Sequence, residues 1–322
     1  MNTLRCIGIL LGVVAIATSP AHAQSYPSKP IKVIVGYPAG GAVDIVARSV
    51  GQQLAAGLGQ PVIVDNRPGA ATNIAVKALI ESPPDGYTLL LAANSLAANP
   101  ALFQPPPFDL ARDIAPVSLV GSVPVVIAVQ ASSGLATIAQ LVESARAHPQ
   151  TITYASPGNG STPHLAFELF ERAAGVSLIH VPYKGGAPAI TDVMGGHVQV
   201  LAVNALEVQP QVKAAKLRVL AVLSSKRSPM WPEAPTIAES GYPGFEASVW
   251  YGFVAPAATP KPVIARLHAE VQKALASNDV RERLASAGGE VMPASTSQFA
   301  AMLESERARY EKLIREANIK PD

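Results

Sequence analysis

The chain reads as an α/β protein of two lobes, with two mixed sheets flanked by helices and joined by a two-strand hinge. Three observations predict this. Short β-branched runs alternate with helical stretches along most of the 322 residues. Two similar strand–glycine turn–helix segments, 33–44 and 153–164, fall one in each half. Two extended stretches, 118–129 and 245–255, are placed to cross between the lobes.

The expected strands are 31–35, 62–64, 88–92, 125–129, 152–154, 177–181, 198–203, 218–223 and 248–253. They are short and bounded by Gly, Pro or Asn. Several are apolar throughout, as strands covered on both faces must be. Helical periodicity falls between them at 44–58, 73–81, 138–147, 164–174 and 187–194. Strand and helix in alternation imply crossover connections. The crossings place one lobe in 24–122 plus 250–322 and the other in 123–249.

The C-terminal part is helical. Pro262 sits at a helix start, and Val263, Ile264, Leu267, Val271 and Leu275 share one face. A second helix begins near Ser295, with Gln298 placed for a capping box. Phe299, Leu303, Tyr310, Leu313 and Ile314 form its buried stripe, while Glu304, Glu306, Arg307 and Arg309 read as a solvated face. The Pro105-Pro106-Pro107 cluster reads as a surface loop.

The N-terminus reads as a signal peptide, residues 1–23. Arg5 is its positive region and 7–17 its apolar run, too short to span a bilayer. Ala21-His22-Ala23 is a small-x-small site, so cleavage is expected after Ala23. Cys6 is the only cysteine, so the mature chain has no disulfides and no thiolate metal sites. An exported, cysteine-free chain is expected in the bacterial periplasm. Loss of Arg5 leaves 24 basic and 23 acidic residues, net +1. Without a basic run, neither nucleic acid nor an anionic membrane is expected as partner.

Enzyme motifs are missing. There is no G-x-S-x-G elbow, P-loop or dinucleotide fingerprint, so no cofactor is expected. The six histidines include no i, i+4 pair, so no metal site is expected. Ser161 and His164 could be a nucleophile and base of a periplasmic hydrolase, but their spacing at a helix start also fits capping.

The two glycine turns carry the positive argument. Each leaves backbone N–H groups at a helix N-terminus, where the dipole is positive. Such an end binds anions. Two of them, one per half, suggest closure around a small carboxylate.

The run Gly36-Tyr37-Pro38-Ala39-Gly40-Gly41-Ala42-Val43-Asp44 resembles the first ligand loop of the extracytoplasmic receptors of tripartite tricarboxylate transporters, the Bug family. Asp65-Asn66-Arg67-Pro68-Gly69-Ala70, Pro84-Asp85-Gly86-Tyr87 and Gly158-Asn159-Gly160-Ser161-Thr162-Pro163-His164 resemble it in the same order. So do His180-Val181-Pro182-Tyr183-Lys184-Gly185 and Phe253-Val254-Ala255-Pro256.

The resemblance implies a type II periplasmic binding protein, a Venus flytrap that grips a small organic carboxylate and delivers it to membrane permease subunits. A sensory receptor that docks on a signalling protein is the other reading of the same fold. By resemblance the ligand contacts are Tyr37, Pro38, Ala39, Gly40, Gly41 and Asp44 in the first loop. In the second they are Ser156, Gly160, Ser161, Thr162 and His164.

Asn94 and Ser95 end a strand that should face the same cleft, and Asn204 belongs to a family Asp-Asn pair. Asp44 caps its helix, orients water or binds a ligand amine. Ser161 and Thr162 donate hydroxyls, cap the next helix, or do both. Arg67 offers a grip on a distal carboxylate or a structural contact. Trp250 and Tyr251 stack on a ligand or pack the hinge. Val203 replaces the acid of the Asp-Asn pair. Its loss makes the pocket more apolar and argues against an amino-acid ligand.

Overall fold

A computed structural model describes residues 26–286, 288–317 and 319–321. The signal segment and its cleavage site lie outside the described residues.

Strand β1 (Ile31–Val35) leads through the first glycine turn into α1 (Ala42–Leu58). Gly59, at φ +66, ends α1 by returning its N–H to Ala55 O, the left-handed stop that glycine adopts at low cost. Strand β2 (Val62–Asn66), a 3-10 turn (Ala70–Thr72), α2 (Asn73–Ile80) and β3 (Thr88–Ala92) follow. β1 pairs in parallel with both β2 and β3. Side chains alternate across this sheet. Leu89 and Leu91 enter one apolar cluster, and Leu90 and Ala92 enter another on the opposite face.

Helices α3 (Ser95–Leu102) and α4 (Leu110–Asp113) precede β4 (Ile114–Gln130), the longest strand. Its run Val125 to Val129 is wholly buried, at roughly 1.5–3 kcal/mol for each large side chain. Next come α5 (Ile138–Ala147), β5 (Thr153–Ser156), α6 (Thr162–Ala174), β6 (Ile179–Pro182) and α7 (Gly186–Met194). Then β7 (Val200–Asn204), α8 (Ala205–Lys213) and β8 (Leu217–Val222) complete the second lobe's sheet. The chain returns through β9 (Ser248–Pro256), α9 (Lys261–Leu275), α10 (Asn278–Ala285), β10 (Glu290–Val291) and α11 (Thr296–Ala317).

The strands run in the order β2-β1-β3-β9-β4-β7-β5-β6, with β8 and β10 also bonded to β4. β4 therefore belongs to both sheets. Pro124 lies opposite Ser248 of β9, and the next residue, Val125, lies opposite Asn204 of β7. Both sheets are mixed: β1 runs parallel to β2 and β3, and β5 to β6 and β7, whereas β9 meets β3 and β4, and β7, β8 and β10 meet β4, antiparallel.

α3 and α8 contain Pro100 and Pro210. Burial of one helix face outweighs the lost backbone donor. Within the stretch 245–255 the chain passes from one sheet to the other: Ala247 N–H donates to Leu223 O, just after β8, at 2.7 Å, and β9, from Ser248 on, pairs with β3 and β4 in the first sheet. Glu306 does not belong to a purely solvated face. Its carboxylate accepts from Trp250 Nε1 at 3.2 Å and from Asn94 Nδ2 at 3.3 Å. The Ser295–Gln298 capping box is present, with both reciprocal bonds formed at 3.2 and 2.8 Å.

Candidate ligand-binding site between the lobes

The loop after β1 and the loops after β5 and β6 meet across the interlobe cleft. A Cβ on Gly160 would stand 2.6 Å from Leu102 of the first lobe. A Cβ on Gly185 would stand 3.1 Å from the Pro38 ring. Only residues without a side chain allow this approach, and both glycines also take positive φ, +70 and +110.

Between these loops lie an inner cavity and an outer cleft. Tyr37, Pro38, Ser161 and Gly185 line both. Ala39, Gly41, Thr162, Asn204, Glu207 and Tyr251 line the inner cavity. It offers about 40 Å³ to the centres of water-sized groups, room for roughly three at 10–15 Å³ each. The outer cleft offers about 740 Å³.

Four helices begin at or near the cavity, and they differ in how their first turns are satisfied. Ser161 caps α6 by accepting from His164 N–H at 3.4 Å. Asn204 caps α8 by accepting from Leu206 N–H at 3.0 Å. α1 and α7 start at Gly41 and Gly185, which have no side chain to cap them. The first N–H of α1, from Ala42, is taken by the Glu207 carboxylate, which leaves the next N–H groups of α1 and those of α7 for an anion. No Lys, Arg or His lines the inner cavity among the described residues.

The expected contacts divide into those at the cavity and those behind it. Tyr37, Pro38, Ala39, Gly41, Ser161, Thr162 and Asn204 line the inner cavity, and Ser95 lines the outer cleft. Ser95 Oγ lies 3.4 Å from Tyr37 Oη and 3.1 Å from Thr72 Oγ1. Gly40 lines neither space. It has φ +84 and donates its N–H to Asp44 Oδ2 at 2.9 Å. Gly41 has φ −77, so the left-handed residue of this loop is Gly40.

Asp44 also stands outside the cavity. It accepts from Arg48 Nε at 3.0 Å and Asn66 Nδ2 at 3.0 Å. Burial opposes its charge, but the bonds from Arg48, Gly40 and Asn66 hold its carboxyl below the ordinary value. Every acceptor position is engaged in shaping the loop.

Asn94 faces away from the cleft. Its Nδ2 donates to Tyr310 Oη at 2.9 Å and its Oδ1 accepts from Trp250 N–H at 3.0 Å. It ties β9 to α11. Trp250 packs edge-on against Phe299 in the core, with no place at the cavity. Arg67 pairs with Asp65 at 2.9 Å.

Ser156 and His164 support the second loop from behind. Ser156 Oγ lies 2.7 Å from His180 Nε2 and accepts from Gly158 N–H at 3.1 Å. Gly160 donates its N–H to His164 Nδ1 at 3.2 Å. Burial, with the His180 ring stacked at 4.2 Å, lowers His164 to about 3 and keeps it neutral. Its Nδ1 is occupied by Gly160, and Ser161 Oγ meets the His164 backbone rather than the ring. Ser161 Oγ and the His164 ring are therefore not bonded to each other as a nucleophile and base would be.

Glu207 is a cavity residue that sequence reading passed over. Asn204-x-x-Glu207 looks like a capping box closing on itself. Instead the side chain turns into the inner cavity. Its Oε2 is sealed from solvent and has no hydrogen-bond partner among the described residues. Burial pushes its carboxyl up to about 7, against the pull of the Ala42 N–H from α1. Tyr251 is the other wall. It accepts from Asn204 Nδ2, and its phenol is held well above the ordinary value by burial and by the Glu207 charge.

Two mixed sheets sharing one long strand, with a cavity between opposed helix N-termini, define a two-lobed periplasmic solute-binding protein. The chain belongs to the family described as the tripartite tricarboxylate transporter family receptor, whose profile matches residues 46–319. It is 38% identical to Protein BugT of Bordetella pertussis over 319 residues, 98% of each chain. A solved structure of Rhodopseudomonas palustris, "MatC (Rpa3494) … with bound malate", superposes with TM-score 0.85 at 29% identity, covering 90% of this chain and all of that one. "R. palustris Rpa4515 with adipate" superposes with TM-score 0.88 at 34% identity, covering 92% and 100%.

Proposed function

We propose that this receptor captures a small organic carboxylate between its lobes and delivers it to the membrane permease subunits of a tripartite tricarboxylate-type transporter. It works in the periplasm after cleavage behind Ala23. The observation that carries the reading is the pair of helix starts, α1 and α7, that open on glycine from opposite sides of one cavity. Backbone N–H groups and the hydroxyls of Ser161 and Thr162 grip the carboxylate. Relatives solved with adipate and malate support the same ligand class.

The lobes are 24–122 with 250–322, and 123–249. They close about the passages near Val123 and Val249. The loop residues that line the cavity touch the ligand. Gly40, Asp44, Ser156 and His164 hold those loops in shape.

A thermal-shift screen against carboxylates tests the reading. A ligand at about 100 times its Kd stabilises by about 2.7 kcal/mol. A panel of mono-, di- and tricarboxylates that leaves the melting temperature unmoved would reject it.

A further inference from the structure

The inner cavity holds one carboxyl side chain with no counter-charge beside it. Glu207 rises from the first turn of α8 and brings a carboxylate among otherwise neutral walls. The groups facing it come from every element around it. Tyr37 comes from the loop after β1, the Ala42 N–H from α1, Gly186 from α7 and Tyr251 from β9. None of these is a cation. Oε2 has no donor among the described residues.

The neighbouring backbone is shaped around this carboxylate. A Cβ on Gly186 would stand 1.6 Å from Oε2. Val203, where the family motif has an acid, lies beside the same spot, its Cγ2 3.1 Å from that Cβ. The acid missing at Val203 is thus supplied from Glu207, one helical turn on. This carboxylate stands where an amine of the ligand would need a partner, against the expectation drawn from Val203.

The Ala42 N–H serves the Glu207 carboxylate, but Oε2 stays unpartnered, and burying a polar oxygen without a donor is costly. A ligand cation beside Oε2 removes that cost, and the Tyr37 and Tyr251 rings are suited to flank it. We infer that Glu207 is the specificity residue of the inner cavity, and that the ligand is a carboxylate carrying a cationic nitrogen. The carboxylate lies on the opposed loops and the nitrogen on Glu207 Oε2. This rests on the carboxylate reading above and narrows it.

Matched probes test it by calorimetry: succinate against aspartate, adipate against 2-aminoadipate, and 4-methylbenzoate against 4-(aminomethyl)benzoate. Each is run on the wild type and on the isosteric Glu207→Gln, with circular dichroism confirming the fold. In at least one pair the amino member binds the wild type tenfold or more tightly than its partner. Glu207→Gln narrows that ratio to within threefold, chiefly by weakening the amino member. The wild-type ratios need no variant. Simple carboxylates binding as tightly as their amino partners throughout would overturn the inference and leave the carboxylate reading standing. Tighter binding of simple carboxylates to Glu207→Gln, with no amino preference in the wild type, would also overturn it and make Glu207 a competitor for the anion site. No binding by any probe would overturn both.

Discussion

Gly186 lies directly against the Glu207 carboxylate, closely enough that a Cβ on Gly186 would stand 1.6 Å from Oε2. The start of one helix and the first turn of the next are packed as a unit. Gly186→Ala should therefore destabilise the protein by about 1–3 kcal/mol, the usual cost of overpacking. In Glu207→Ala the same change should be nearly neutral, because the clashing oxygen is gone. A double-mutant cycle by thermal melts measures this, and equal costs in both backgrounds would refute the contact.

Glu207 also makes stability depend on pH. Its carboxyl is raised from 4.5 to about 7 by burial. The folded state then holds a proton that the unfolded chain has released, so stability falls as pH rises between those values. At about 1.4 kcal/mol per pH unit, the loss reaches about 3 kcal/mol at neutral pH. Glu171, raised to about 8 by burial against the Leu178 N–H bond, adds a loss of the same sign. Glu207→Gln should flatten the ligand-free curve between pH 5 and 7, and Glu171→Gln should remove the remaining slope. Denaturant melts across pH 4–8 check this.

Anion grip by backbone and hydroxyl groups predicts a graded response. Thr162→Ala should weaken carboxylate binding by about 1 kcal/mol, or up to about 3 if the bond is charge-assisted. Gly41→Val should weaken it more by pushing a side chain into the cavity. Backbone strain is no part of that effect, since φ is −77. Arg67→Ala should leave affinity unchanged, because that guanidinium is paired with Asp65. Calorimetry that finds binding abolished only in Arg67→Ala would reassign the grip.

Ligand should close the lobes about the two passages near Val123 and Val249. The radius of gyration from small-angle scattering should fall on adding saturating ligand. Superimposable profiles with and without ligand would count against hinge closure.

Export should remove residues 1–23. Mass spectrometry of the periplasmic form should find Gln24 at its N-terminus, and retention of the first twenty residues would reject cleavage after Ala23.

Local chemistry was legible without a structure. Short, mostly apolar runs placed the β1 and β3 strands, because that sheet is covered on both faces; Lys32 of β1 is the exposed exception. The glycine turns before α1 and α6 were legible as strand-to-helix turns, but Ser161 caps α6, and the second glycine start belongs to α7. Ser295 and Gln298 announced their capping box because its partners are three residues apart.

Long-range placement was decided only by tertiary packing. Asp44, Asn94 and His164 carry polar groups at loop ends, yet their contacts with Asn66, Tyr310 and His180 hold them outside the inner cavity. Glu207 carries the opposite lesson. Its spacing from Asn204 signals a local cap, and only the approach of Gly186, Ala42 and Tyr251 makes it the charge inside the cavity. Hydrogen bonds and burial between residues far apart in the chain depend on how the sheets meet along β4, which no local pattern encodes.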